Sequence, residues 1–234
     1  MLGECGMRNE NLPAAVIFDM DGLLVDSEPL HAKAFITVFG ESGLRLTIEG
    51  FLRSVTLGGM NTRDLYLSMG GNGDEWDNVI LAKHQTFGAI LKEKGSLMPG
   101  AIDLLDSLRA AQIPMAIATS ARRRSLEIIN DHFDLGQYFA ATIAYEDAQA
   151  DKPDPTAFLL AAERLCAPRA ECVVLEDSPR GVIAAHRAGM KCIAVPNAST
   201  ADGDFSSATL VVDSLERVDI QALHRLWKTM DSEH

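Results

Sequence analysis

Asp19 and Asp21 stand one residue apart at the end of an apolar run, Val16-Ile17-Phe18, and Gly22 follows at once. Successive strand side chains alternate faces, but where a strand frays at its carboxyl end both carboxylates can turn toward one site above the sheet edge. Carboxylates that close repel unless a proton or a cation separates them, so the pair predicts proton transfer, metal binding or both. Three later segments repeat the pattern of apolar strand followed by reactive side chain. Residues 114–118 lead into Thr119-Ser120, which bring hydroxyls and free amides to the sheet edge ahead of a helix carrying Arg122, Arg123 and Arg124. Such a place binds phosphoryl oxygens, and the same hydroxyls serve equally as a helix N-cap. Asp151-Lys152-Pro153-Asp154-Pro155 holds a lysine in a turn fixed by two prolines. Val173-Val174-Leu175 delivers Glu176-Asp177-Ser178, followed by a helix in which Gly181 and Ala184-Ala185 allow close packing.

Carboxylates, hydroxyls and a lysine at strand ends are the inventory for a hard, oxygen-ligated cation beside a phosphoryl group. Mg2+ is the cofactor this predicts, because it takes oxygen ligands, keeps several waters and shares its site with substrate phosphate. The histidines and the four cysteines, Cys5, Cys166, Cys172 and Cys192, show no zinc-like spacing. Cys172 and Cys192 sit in strand-like runs as small hydrophobes, and this cysteine usage predicts a reducing cytoplasmic location.

The elements that must position these residues are legible from Leu97 onward, where short apolar runs alternate with amphipathic stretches, as strand-helix units of a parallel sheet do. Strands are predicted at 114–119, 142–145, 172–176, 191–195 and 209–212, and helices at 99–111 and 155–166. Between 29 and 94 no segment reads as a buried strand. Helices at 30–39, 62–69 and 75–92, separated by glycine-bearing breaks, predict an inserted helical unit that sits as a lid over the carboxyl edge of the first strand. The fold class is therefore α/β, a Rossmann-like parallel-sheet core with an inserted all-helical cap. The core comprises 12–28 and 97–234, and the cap 29–96.

Length and composition fit this reading. The chain has 234 residues, 47% of them hydrophobic and 23% charged, enough for a full core. A formal net charge of −12 disfavours nucleic acid and anionic membrane as partners, while a small phosphorylated ligand needs only a local positive site. No apolar run is long enough to span a bilayer. The first dozen residues lack the apolar stretch of a secretory signal and read as a frayed tail. A monomer is expected.

The four motifs, Asp19-Met20-Asp21-Gly22, Thr119-Ser120, Lys152-Pro153 and Glu176-Asp177-Ser178-Pro179-Arg180-Gly181-Val182, occur in the order found in haloacid-dehalogenase-superfamily phosphohydrolases. The chain resembles the branch typified by β-phosphoglucomutase and small-sugar-phosphate phosphatases, over roughly residues 14–215, and is similar in wording to pseudouridine-5′-phosphate phosphatases. The resemblance implies that Asp19 attacks phosphorus and becomes an aspartyl-phosphate, with Asp21 as general acid and base. It implies that Thr119 and neighbouring amides hold the phosphoryl oxygens and that Lys152 neutralises their charge. Mg2+ would be held by Asp19, Asp177 and the Asp21 carbonyl, with Glu176 direct or through water. Gly22, Ser27, His31 and Ser120 are implied as substrate-binding positions.

An acid at position 21 separates this chain from the dehalogenases it resembles, since displacing halide needs no proton on the leaving group. A phosphonatase is disfavoured because its counterpart is alanine. For the mutase, the lid arginine and lysine that grip a second phosphate align with Thr62 and Gln85, neither cationic, although a shift of register would bring in Arg63 and Lys83. The expected function is thus a Mg2+-dependent phosphatase acting on a small phosphorylated metabolite. A phosphosugar mutase is the alternative, and a non-catalytic phosphometabolite-binding protein is the alternative of another class.

Overall fold

A computed structural model describes residues 11–228, so the expectations for Cys5 and most of the N-terminal tail lie outside the described residues. The first strand, β1 (Ala15–Phe18), is followed by helices only: α1 (Glu28–Glu41), α2 (Ile48–Phe51) running into a π-helical turn at Leu52–Leu57, α3 (Thr62–Ser68) and α4 (Trp76–Lys94). Strands and helices then alternate through α5 (Ala101–Ala110), β2 (Met115–Ala118), α6 (Arg123–Phe133), β3 (Ala141–Ile143), α7 (Tyr145–Ala148), α8 (Thr156–Arg164), β4 (Cys172–Glu176), α9 (Pro179–Ala188), β5 (Lys191–Ala194), β6 (Leu210–Val211) and α10 (Ile220–Lys228).

The six strands pair in parallel in the order β3-β2-β1-β4-β5-β6. The chain winds outward from β1 through β2 to β3, then crosses back to β4 beside β1. The strand order therefore reverses at β1, where open α/β sheets bind ligands. Both faces of the sheet are covered, which explains why the strands read as continuous apolar runs. Val16, Phe18, Met115, Ile117, Val173 and Leu175 point into one buried cluster with α5 and α6. Ala15, Ile17, Ala116, Ala118, Cys172 and Val174 point into the other, with α8 and α9. The second face is rich in alanine on sheet and helices alike (Ala116, Ala118, Ala161, Ala184, Ala185), so the helices there can approach closely.

Several predicted bounds need correction. Tyr145 belongs to α7, because the strand predicted at 142–145 ends at Ile143. The outermost strand pairs over Leu210–Val211 alone, on an exposed edge. In the helical insertion, α2 and the π-helical turn occupy a stretch without a predicted helix: its polar, glycine-flanked sequence lacks a clear apolar period. The insertion packs around its own cluster of Phe35, Phe39, Phe51, Leu65, Tyr66 and Val79. It joins the sheet through two adjacent segments: Val25 bridges Leu97, Asp26 N donates to Ser96 O at 3.0 Å and Met98 N to Leu24 O at 2.9 Å.

Candidate active site

Register brings the reactive residues to one edge. Phe18 lies level with Ile117 on one side and Leu175 on the other, so Asp19 leaves the sheet beside Ala118 and Glu176. Backbone bonds carry the ladder one step further, with Asp19 N donating to Leu175 O and Thr119 N to Ile143 O, both at 3.0 Å. Beyond this edge lies a cavity of about 600 Å³, walled by the sheet edge below and the helical insertion above. Asp19, Asp21, Thr119, Ser120, Lys152, Glu176 and Asp177 all face it.

At its floor, Lys152 Nζ donates to Asp19 Oδ1 and, at 2.5 Å, to Glu176 Oε1. Lys152 is only 6% exposed, and although burial alone would lower its pKa, the charges of Asp19 and Glu176 and their hydrogen bonds raise it, so it stays an ammonium. Glu176 is fully buried and has both oxygens engaged, the second accepting from Ser178 N at 2.8 Å and Ser178 Oγ at 2.9 Å. Glu176 thus anchors the lysine and the loop, and it lines the cavity beside Asp19 and Asp177. Its burial depends on Gly181, where a Cβ would lie 1.8 Å from Glu176 Oε1.

Asp19 is pushed up to about 8 by burial and by the charges of Glu176 and Asp21, against the pull of Lys152. Asp177 is raised too, by burial and by the charges of Glu176, Asp19 and Glu28. Crowded acids of this kind are what a cation relieves. Among the described residues Asp19 Oδ2 and Asp177 Oδ1 have no hydrogen-bond partner, whereas Asp177 Oδ2 accepts from Asn197 Nδ2 at 2.7 Å. No group of three or more His, Cys, Asp or Glu side chains among the described residues forms a metal cage. Mg2+ needs none, since one or two carboxylates, a carbonyl, waters and substrate phosphate satisfy it. The donor set therefore fits that ion.

Asp21 has different surroundings. Ser27 Oγ donates to its Oδ1 at 2.5 Å, and His31 Nε2 lies 3.0 Å from the same oxygen. Burial pushes its pKa up, but His31, Ser27 and Lys83 more than offset this and leave it below the usual carboxylate value. Ser27 is fully buried against Asp21 and does not line the cavity. Expected as a substrate-binding position, Ser27 instead holds the Asp21 carboxylate in this structure. Gly22 is likewise not in the cavity wall. It turns the chain at φ +81°, and a Cβ there would lie 2.4 Å from Asp177 Oδ2 and 2.6 Å from Asn197 Nδ2. His31 does reach the cavity, stacked on Phe87 at 3.9 Å between ring centroids.

Thr119 and Ser120 do not cap α6. Its N-cap is Arg122, and the first helical amide, Arg123 N, donates to Glu146 Oε2 at 2.8 Å. Thr119 Oγ1 accepts from Ala121 N at 3.0 Å, and Ser120 Oγ from Lys152 N at 3.3 Å, so the 119–121 loop is tied to the lysine turn instead.

Three cavity residues, Lys83, Glu28 and Arg180, and one behind the site, Asn197, were not among the expected site residues. Lys83 is 4% exposed, with Nζ 2.9 Å from His31 Nδ1 and 3.4 Å from Ser125 Oγ. Its signal was present in α4, where Val79, Lys83, Phe87 and Leu91 form a buried stripe at helical spacing in which a lysine is out of place. Gln85 does not line the cavity, whereas Thr62, Arg63 and Lys83 do. Glu28 accepts from Thr56 Oγ1 at 2.8 Å and is pushed up to about 7 by burial and the Asp21 charge. Asn197 spans Gly22 O (2.9 Å) and Asp177 behind the site, and Arg180 faces the cavity from α9. Nothing in their spacing marked Glu28 or Asn197, and Arg180 stood in the fourth motif with no role assigned.

Comparison with known proteins agrees with this geometry. The profile of the family described as haloacid dehalogenase-like hydrolase matches residues 16–195. The fructose-1-phosphate phosphatase YqaB of Escherichia coli (strain K12) is 34% identical over 185 residues, 78% of this chain and 96% of that protein. A Drosophila melanogaster protein named probable pseudouridine-5′-phosphatase is 32% identical over 209 residues, 85% of this chain and 88% of its own. The crystal structure of CbbY from Rhodobacter sphaeroides in complex with phosphate superposes with a TM-score of 0.83 at 27% identity, covering 91% of this chain and 99% of that one. The match spans the strands from β1 to β5, the insertion and all four motifs, and the chain belongs to the haloacid dehalogenase-like hydrolases.

Proposed function

We infer that the protein is a Mg2+-dependent phosphatase that hydrolyses a small phosphorylated metabolite through an aspartyl-phosphate on Asp19. The observation carrying this reading is the division of labour between two carboxylates on one strand end. Asp19 faces Lys152 and keeps one oxygen without a partner, while Asp21 is held by Ser27 and His31. One is placed to attack, the other to move a proton.

In this reading the phosphoryl group lies between Asp19 and Thr119-Ser120, with Lys152 meeting its negative charge. Asp19, Asp177 and the Asp21 carbonyl hold Mg2+, which when bound offsets the repulsion between nucleophile and phosphate. Asp19 attacks phosphorus as the leaving-group oxygen takes a proton at Asp21, and Asp21 then accepts a proton from the water that cleaves the aspartyl-phosphate. The 29–96 segment acts as the cap that excludes bulk water, over a core of 12–28 and 97–234. A relative named for fructose 1-phosphate and another named for pseudouridine 5′-phosphate support a sugar- or nucleoside-type leaving group. Free thiols at Cys166, Cys172 and Cys192 support a cytoplasmic setting.

The mutase reading needs a second phosphate clamp in the cap. Lys83 is engaged by His31 and Ser125, which leaves Arg63 as the cap cation on the cavity wall and favours hydrolysis. The test is phosphate release across sugar, polyol and nucleoside monophosphates with Mg2+. We expect at least one substrate to reach a kcat/KM of about 10⁴ M⁻¹s⁻¹. Isomerisation of a hexose phosphate without net phosphate release would instead identify a mutase.

A further inference from the structure

Arg180, in the first turn of α9, lies three residues after Asp177 and reaches upward to the cap. A Cβ built on Gly59 would lie 2.4 Å from Arg180 Nη1, 2.8 Å from Cζ and 3.2 Å from Nε, so the cap backbone rests directly on the guanidinium. Gly59 has φ +66°, and only glycine combines that conformation with so near an approach. Both residues line the cavity shared with Asp19 and Lys152.

The other arginines around α6 have partners. Arg122 lies 4.2 Å above the Tyr145 ring and 3.8 Å from Glu146, and Arg124 is 3.4 Å from Glu127. The Arg180 guanidinium makes no hydrogen bond or ion pair with any described residue, only the longer-range attraction of Asp151. A half-buried guanidinium carries five N–H donors and no acceptor, so a cavity-facing one lacks oxygen partners. The apolar wall of Phe51, Val55, Trp76 and Ile80 supplies none.

We propose that Arg180 is a specificity-determining residue that donates hydrogen bonds to oxygen functions on the leaving group while the cap seats on it through Gly59. This rests on the hydrolase reading above. The leaving group is sandwiched between the phosphoryl site below and the cap segment above, and Arg180 touches that segment from the core side. A leaving group bearing hydroxyl, carbonyl or carboxylate oxygens satisfies the guanidinium and is read at the moment of closure; a bare aryl group is not.

The experiment compares wild type, R180A, R180K and G59A on the best sugar phosphate from the panel and on phenyl phosphate, whose leaving group has no oxygen beyond the ester. R180A is expected to lose about 10- to 100-fold in kcat/KM on the sugar phosphate, chiefly through KM, and less than twofold on phenyl phosphate. R180K recovers only part of the loss, because an ammonium cannot reproduce the planar fork. G59A shows the same selective loss by displacing the guanidinium. Parallel losses on both substrates, or none on either, overturn the proposal while leaving the hydrolase reading intact. A wild-type protein that releases phosphate from neither overturns both. Should R180A fail to fold, R180Q takes its place, with the same selective loss on the sugar phosphate expected and a parallel loss on both substrates overturning the proposal.

Discussion

His31 bridges Asp21 and Lys83, with Nε2 3.0 Å from Asp21 Oδ1 and Nδ1 2.9 Å from Lys83 Nζ. An ammonium has donors only, so Nδ1 accepts from Lys83 and the ring proton sits on Nε2, donating to Asp21. His31 itself is pushed down by burial and by Lys83, against the pull of Asp21, and so stays a neutral relay. The cap thereby sets the electrostatics of a core carboxylate.

Removing either relay member therefore weakens the proton carrier. His31→Ala or Lys83→Met should lower kcat by about 10- to 100-fold. Since both hold the Asp21 pKa down, the limb of the pH–rate profile that reports Asp21 moves to higher pH in each variant. An unmoved limb in both would sink this account.

Asp19→Asn should abolish turnover, a loss of at least about 10³-fold, with the melting temperature little changed, since the amide is nearly isosteric and Lys152 keeps its bond to Glu176. Phosphate release from the purified variant and its thermal melt are the measurements. Undiminished release would falsify Asp19 as the nucleophile.

EDTA should silence the enzyme and Mg2+ restore it. Because Asp19 and Asp177 are both raised, by burial first and then by the neighbouring carboxylates, Mg2+ should also raise the melting temperature of the resting protein, and Asp177→Asn should blunt that rise while demanding more Mg2+ for activity. Equal melting curves with EDTA and with Mg2+ would contradict the proposed ion site.

Gly181→Ala forces a Cβ into Glu176, whose oxygens position Lys152, so it should cost about 1–3 kcal/mol of stability and a larger share of activity than of fold. Urea unfolding alongside kcat measures both; a variant as stable and active as wild type would show that the helix shifts freely.

Glu28 gives the wild type a pH-dependent stability that Glu28→Gln should remove. Glu28 is raised from 4.5 to about 7, so the folded state holds its proton more tightly and stability is lost as pH rises through that window. The variant keeps the Thr56 bond and avoids the loss. It should be more stable than wild type by about 1–3 kcal/mol at pH 8.5 and show no such advantage at pH 4, as read by urea midpoints.

The sequence by itself determined the sheet and which reactive side chains gather at its edge. Strands buried on both faces must be continuously apolar, and parallel strands joined by helices must end at a common edge, so Asp19, Asp21, Thr119, Lys152 and Asp177 could be placed together from local pattern alone. Tertiary structure decided what each side chain faces. Ser27 and Gly22 sit beside the motif yet turn away from the cavity, while Lys83, more than fifty residues from His31, becomes its partner through the docking of α4 on α1. Glu176 reads from its motif as a metal ligand, and only the fold shows that it also holds Lys152 and the Ser178 loop, with α9 approaching it at Gly181. Arg180 stands in the fourth motif and Gly59 in a glycine-bearing break, yet their contact carries no pattern, because a contact between cap and core depends on how two separately packed units meet, and periodicity within either unit does not encode that meeting.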